Sequence, residues 1–147
     1  MEAAQGIFPT FFLSGFECSN FLWGKEKKRR DLAAELQHYQ HADEDYRMLP
    51  GLGIAVAREG IPWPFADKGG DYDFSSIDPM IDAMRRTRVA PIWDLCHYGY
   101  PDDLDPFTAQ FTQRFANYCR AAAQYVSARL PGPYYFTPIN EITFFAF

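Results

Sequence analysis

Pro133-Tyr-Tyr-Phe-Thr-Pro-Ile-Asn-Glu-Ile-Thr-Phe-Phe-Ala-Phe147 is the stretch on which the reading of this chain turns. An apolar, aromatic run behind the breaker Pro131-Gly-Pro133 predicts a buried strand, and that strand runs into Asn140-Glu141. A parallel strand that delivers an amide and a carboxyl group at its C-terminal tip puts them where α/β proteins keep their chemistry.

Working outward, the rest of the chain supplies the partners such a strand needs. Short apolar runs alternate with longer helical patterns, the signature of βαβ units around a parallel sheet. Phe11–Phe16 fits a first strand, Gly53–Arg58 a second and Val89–Leu95 a third. Between the first two, Lys25–Leu49 has helical character and divides into one or two helices, ended by Pro50-Gly51. Ser75 or Ser76 offers an N-cap to a helix whose Ile77, Met80, Ile81 and Met84 form an apolar stripe. Arg85, Arg86 and Arg88 fall in its last turn, where cations suit the helix dipole. From Pro106 to Leu130 a long amphipathic helix keeps Phe107, Phe111, Phe115, Tyr118, Ala122, Tyr125 and Val126 on one face. The expected architecture is α/β, the first four β/α units of a (β/α)8 barrel in one domain spanning 1–147. A chain of 147 residues has room for only half of such a barrel, so a single, truncated domain is expected.

Composition narrows the function. A net charge of −5 argues against nucleic acid, whose phosphates call for clustered Lys and Arg. The one basic run, Lys25–Arg30, is interrupted by Glu26 and reads as the solvated face of an opening helix. No segment approaches the ~20 apolar residues of a membrane span. Ile7–Leu13 is too short for a signal sequence and is broken by Pro9. Cys18, Cys96 and Cys119 are odd in number and lack CxxC spacing, which suits reduced thiols and a cytoplasmic location. The 18% aromatic share fills cores, and also provides the flat platforms on which sugars stack.

Parallel strands bring their C-terminal tips to one end. Glu17 and Ser19 follow the first strand, and Arg58, Glu59 and Trp63 the second. Asp94, His97 and Tyr98 follow the third, and Asn140 and Glu141 the fourth. Acid, amide, imidazole and guanidinium together suit a hydroxyl-rich ligand. Each also has a structural reading: an exposed carboxylate at Glu141, a packing histidine at His97, an ion pair of Arg58 with Glu59 or Asp94, and core tryptophans at Trp63 and Trp93. A metal site from Asp94, Cys96 and His97 is unfavourable, because neighbouring strand residues point apart. The same geometry counts against Cys96 as a nucleophile activated by His97. There is no glycine-rich phosphate loop, and no cofactor or metal is expected.

These tips carry a resemblance. Leu52-Gly-Ile-Ala-Val-Ala-Arg58, Pro91-Ile-Trp-Asp-Leu-Cys-His97 and Phe136-Thr-Pro-Ile-Asn-Glu141 resemble, in order, the second, third and fourth strands of glycoside hydrolase family 1, of the clan A glycosidases. The chain is similar to the N-terminal half of such a β-glucosidase-like enzyme. The resemblance implies a retaining two-carboxylate mechanism with Glu141 as acid/base and a carbohydrate substrate. It also implies that Asn140 binds the sugar 2-hydroxyl, that His97 binds neighbouring hydroxyls, and that Arg58 lies beneath the nucleophile, with Trp63 and Tyr98 as stacking residues. Ile142 stands where the family has Pro, Glu17 or Ser19 where it has a glutamine, and Glu59-Gly-Ile-Pro-Trp63 where it has Phe-Ser-Ile-Ser-Trp.

The nucleophile of that mechanism comes from a seventh strand this chain does not contain, so the isolated chain is expected to be inactive. The alternatives are a non-catalytic carbohydrate-binding relic and a half-barrel that pairs with another half. Open strand edges and the apolar tail Phe144–Phe147 favour self-association.

Overall fold

The computed structural model describes residues 6–143. In chain order the elements are β1 (Ser14–Gly15), β2 (Asn20–Trp23), β3 (Lys28–Asp31), α1 (Leu32–Glu35), α2 (His38–Gly51), β4 (Val56–Gly60) and α3 (Trp63–Ala66). After a 3-10 turn at Ser75–Ile77 come α4 (Asp78–Thr87), β5 (Ala90–Asp94), α5 (Ala109–Ser127) and β6 (Tyr135–Thr137). Strands β1, β4, β5 and β6 form one parallel sheet in that order, each joined to the next through a helix. The fold is α/β, an incomplete barrel, as the alternation predicts. Register places Gly15 beside Arg58, Gly60 beside Asp94, and Asp94 beside Thr137, so the strand tips lie level.

The core lies between the sheet and its helices. Ile77, Met80, Ile81 and Met84 are each at most 2% exposed, so the predicted stripe is the buried face of this segment. Burial of each contributes roughly 1.5–3 kcal/mol, as an upper estimate. The predicted serine cap is absent. Ile77 precedes the helix without a side-chain cap, and Asp73 Oδ1 accepts from the Ser75 amide at 3.0 Å. On α5, Phe111, Tyr118, Ala122 and Val126 are buried as expected, with Thr108 as N-cap. Phe107 lies ahead of the helix and is exposed.

The first connection differs most from expectation. Residues 25–31 are not the start of a helix. They form the turn and second strand of an antiparallel hairpin, with Phe21 opposite Arg30 and Trp23 opposite Lys28. Gly24 and Lys27 take positive φ at the turn, which a helix does not permit. The basic run is held by acids far along the chain or outside the hairpin: Arg29 pairs with Asp102, and Arg30 with Glu35. Pro50 does not end α2 but lies within its last turn.

Phe11, Phe12 and Leu13 are also outside the sheet and exposed, because β1 pairs only over Ser14–Gly15. The terminal residues 144–147, expected to expose apolar surface, lie outside the described residues. No helix among the described residues is long and apolar enough to cross a membrane.

Candidate functional site at the strand tips

Arg58, Asp94, His97 and Asn140 form one hydrogen-bonded cluster at the C-terminal ends of β4, β5 and β6. Arg58 Nη2 donates to Asp94 Oδ2 and, at 2.6 Å, to Asn140 Oδ1. That bond fixes the orientation of the Asn140 amide, since its oxygen must face the guanidinium. Asn140 Nδ2 therefore donates to His97 Nε2, 3.1 Å away. With Nε2 accepting, the neutral imidazole carries its proton on Nδ1 and donates it to Asp94 Oδ2 at 3.0 Å. The tautomer of His97 thus follows from the contacts of Arg58 on the neighbouring strand.

After these bonds the amide keeps one lone pair on Oδ1, while its second N–H is shared with the Tyr98 hydroxyl. Backbone contacts hold the loop in place: the Asn140 amide donates to Cys96 O at 2.9 Å and the Asn20 amide to His97 O at 3.0 Å.

Glu141 is exposed beside this cluster, and its Oε2 accepts from the Tyr98 hydroxyl. Glu141 and Tyr98 both have positive φ, 46° and 66°. Such backbone costs of order 1–3 kcal/mol for a residue with a side chain. The Glu141 carboxylate raises the Tyr98 phenol above its ordinary value. Tyr98 meets His97 edge-on, with centroids 4.7 Å apart. It positions Glu141 and His97 through its hydroxyl and ring edge.

Glu17 accepts from the Ser19 amide at 2.8 Å and from its hydroxyl. Burial raises its pKa, but those hydrogen bonds and the nearby His97 outweigh it and hold the carboxyl below its ordinary range.

Of the residues predicted from sequence, Arg58, His97, Tyr98, Asn140 and Glu141 come together, and Asp94 joins them. Trp63 does not. It is fully buried in α3, stacked on Tyr118 with 5.1 Å between centroids and edged by Phe111 and Phe115. Its indole nitrogen donates to Asp67 at 3.1 Å, so no face is left for a sugar. Of the two ion pairs weighed for Arg58, the structure contains the one with Asp94. Glu59 points to the opposite side of β4, as strand alternation requires. There it accepts from His38 Nε2 at 2.9 Å, Tyr46 at 3.1 Å and the Gly60 amide at 3.0 Å.

One neighbour escaped the sequence reading. Cys18 Sγ lies 3.2 Å from His97 Nδ1, whereas the Cys96 thiol points to Gly99 O. Cys18 stands three residues beyond β1, between Glu17 and Ser19, so its position past a strand tip was the available signal.

No protein-family model matches the chain, and no curated protein matches it in sequence. Solved structures do. Among them is the family 1 β-glucosidase of Thermotoga maritima, at TM-score 0.60 and 22% identity, over 71% of this chain and 25% of that one. The psychrophilic β-glucosidase BglU of Micrococcus antarcticus matches at 0.58 and 19% identity, over 69% and 23%. The AHE enzyme of Alicyclobacillus herbarius matches at 0.59 and 20%, over 71% and 24%. The chain thus spans about a quarter of the length of the structures it matches. It has the fold of part of a family 1 β-glucosidase barrel, with four parallel strands of the barrel's eight.

Proposed function

We propose that this chain carries the acid/base and sugar-positioning part of a retaining β-glycosidase site. The observation that supports it is the Arg58–Asp94–His97–Asn140 cluster, with Glu141 beside it, at the tips of a sheet that matches β-glucosidases. In this reading Glu141 protonates the glycosidic oxygen and then takes a proton from the attacking water. Asn140, with an acceptor lone pair in reserve, receives the sugar 2-hydroxyl, a contact that strengthens as positive charge grows on the ring. His97, whose ring nitrogens are bonded to Asn140 and Asp94, receives neighbouring hydroxyls by releasing the Asn140 amide from Nε2.

Arg58 holds Asn140 and Asp94 through Nη2, while its buried Nε has no partner among the described residues. That donor suits a further carboxylate. The covalent step requires a carboxylate about 5 Å from the acid, and in this reading it comes from polypeptide outside the present sequence. Cytoplasmic residence remains part of the proposal, in keeping with three free thiols.

The test is hydrolysis of aryl β-glycosides by the full natural gene product. Glu141→Gln is expected to lower turnover by roughly 10²–10⁴-fold, the usual worth of a positioned acid/base, while glycoside binding is retained. The 147-residue chain alone is expected to show no turnover. Unchanged hydrolysis in Glu141→Gln refutes the assignment. Glycoside binding without hydrolysis in the full product turns the reading to the non-catalytic carbohydrate binder.

A further inference from the structure

We propose that Cys18, Asp94 and His97 form a binding site for a zinc-like divalent cation, and that occupying it disconnects the sugar-positioning cluster. Asp94 and His97 stand three residues apart at the tip of β5, Cys18 follows β1, and one donor atom from each lies within 4.8 Å of the others. Cys18 Sγ is 3.2 Å from His97 Nδ1, which is 3.0 Å from Asp94 Oδ2. Thiolate, imidazole and carboxylate ligands on a tetrahedral zinc ion sit about 3.4–3.6 Å apart, given metal–ligand bonds of about 2.0–2.3 Å. These two pairs therefore need to spread by only a few tenths of an ångström, and the third, Cys18 with Asp94, lies within 4.8 Å.

The surroundings favour an ion over an empty gap. Asp94 is wholly buried, and its Oδ1 accepts no hydrogen bond among the described residues, so it has coordinating capacity unused. The sulfur is held in place by close packing: a Cβ built on Gly60 would come within 2.3 Å of Cys18 Cβ and 2.7 Å of its Sγ. The mixture of one sulfur, one nitrogen and one oxygen suits zinc or cobalt better than magnesium or calcium.

Coordination has a consequence for the neighbours. The metal replaces the thiol proton, which leaves to solvent, and takes Nδ1 of His97, whose proton moves to Nε2. That N–H then faces Asn140 Nδ2, a second donor. Asn140 must turn its amide over, and its oxygen leaves Arg58. Metal binding and the sugar-ready arrangement are thus mutually exclusive, a consequence that rests on the glycosidase reading, whereas the metal site does not.

The probe is cobalt(II), titrated into the protein under reducing conditions and followed by absorption. One equivalent is expected to give a thiolate-to-cobalt charge-transfer band that zinc(II) displaces. Cys18→Ser is expected to abolish the band and weaken zinc binding at least a hundredfold, while Cys96→Ser and Cys119→Ser retain it. X-ray absorption of the zinc-loaded wild-type protein, which depends on no variant, is expected to show one sulfur at about 2.3 Å among nitrogen and oxygen ligands. Absence of the band, its survival in Cys18→Ser, or a shell without sulfur overturns the site. In the full gene product, zinc is further expected to suppress glycoside hydrolysis reversibly. If cobalt binds through Cys18 but no glycosidase activity exists, the metal site stands and the glycosidase reading falls.

Discussion

Replacing His38 by leucine tests whether the charged network beneath the sheet supports the strand that carries Arg58. His38 is 4% exposed, and both of its ring nitrogens face carboxylates: Nε2 meets Glu59 Oε2 at 2.9 Å, and Nδ1 meets Asp45 Oδ2 at 2.6 Å. An imidazolium satisfies both, since only the charged ring has two donors. Burial opposes that charge, but the two carboxylates outweigh it and raise the His38 pKa. His38→Leu leaves Glu59, itself 1% exposed, with the Tyr46 hydroxyl and Gly60 amide but no cation.

Breaking a buried pair by removing one partner costs about 3–5 kcal/mol. With a urea m-value of about 1.5 kcal/mol/M, the unfolding midpoint should fall by roughly 2–3 M. His38→Leu/Glu59→Leu should recover part of the loss, because the stranded charge is gone. The sign of the pH dependence follows from the raised pKa. The contribution is complete below the unfolded histidine value of about 6.5 and is lost as pH rises through the higher folded value. The gap between wild type and His38→Leu should therefore narrow from pH 6 towards alkaline conditions. A loss under about 1 kcal/mol, or a gap that does not change with pH, refutes the reasoning.

Gly99→Ala should destabilise the fold more than a usual core overpacking of about 1–3 kcal/mol. Its Cβ would stand 2.0 Å from Asn20 O, a backbone atom that cannot turn aside; a thermal melt within 2 °C of wild type would contradict this. The thiols should be slow towards a disulfide reagent at pH 8, since burial raises Cys96 to about 12 and Cys119 to about 11 and pushes Cys18 up further. All three should react together in denaturant, and rapid labelling of Cys96 in the native protein would show that its burial is wrong.

The parts of the fold legible in the sequence are those where local pattern and tertiary environment agree. Strands β4 and β5 overlap the expected apolar runs Gly53–Arg58 and Val89–Leu95, although β4 starts only at Val56 and extends through Glu59 to Gly60. The Ile77–Met84 stripe has one face to bury and buries it. Residues 25–31 were misread because Lys25-Glu-Lys-Lys-Arg-Arg30 carries helical propensity, while the hairpin depends on positive φ at Gly24 and Lys27 and on distant acids. Propensity is a weak prior beside such contacts. Most of the site was legible for a different reason. In a parallel sheet chemistry gathers at one set of ends, so position after a strand is informative even without contacts. Trp63 met that criterion and failed, because the short helix that begins with it turns the ring back into the core.

Arg58 and Glu59 show how the sheet connects these outcomes. They are adjacent on β4, and the two-residue period of a strand sends them to opposite faces. Glu59, on the helix side, is fixed by donors from α2 and by its own neighbour's amide. Arg58, on the other side, reaches across to Asp94 on β5 and Asn140 beyond β6. A guanidinium on a long, flexible stem holds a defined geometry only when its backbone is immobile and its acceptors are placed for it. The buried glutamate anchors that backbone from behind, and level strand ends place the acceptors in front. The orientation of the Asn140 amide and the tautomer of His97 follow from Arg58, so the hydrogen-bonding character of the whole site depends on one strand being held from both faces.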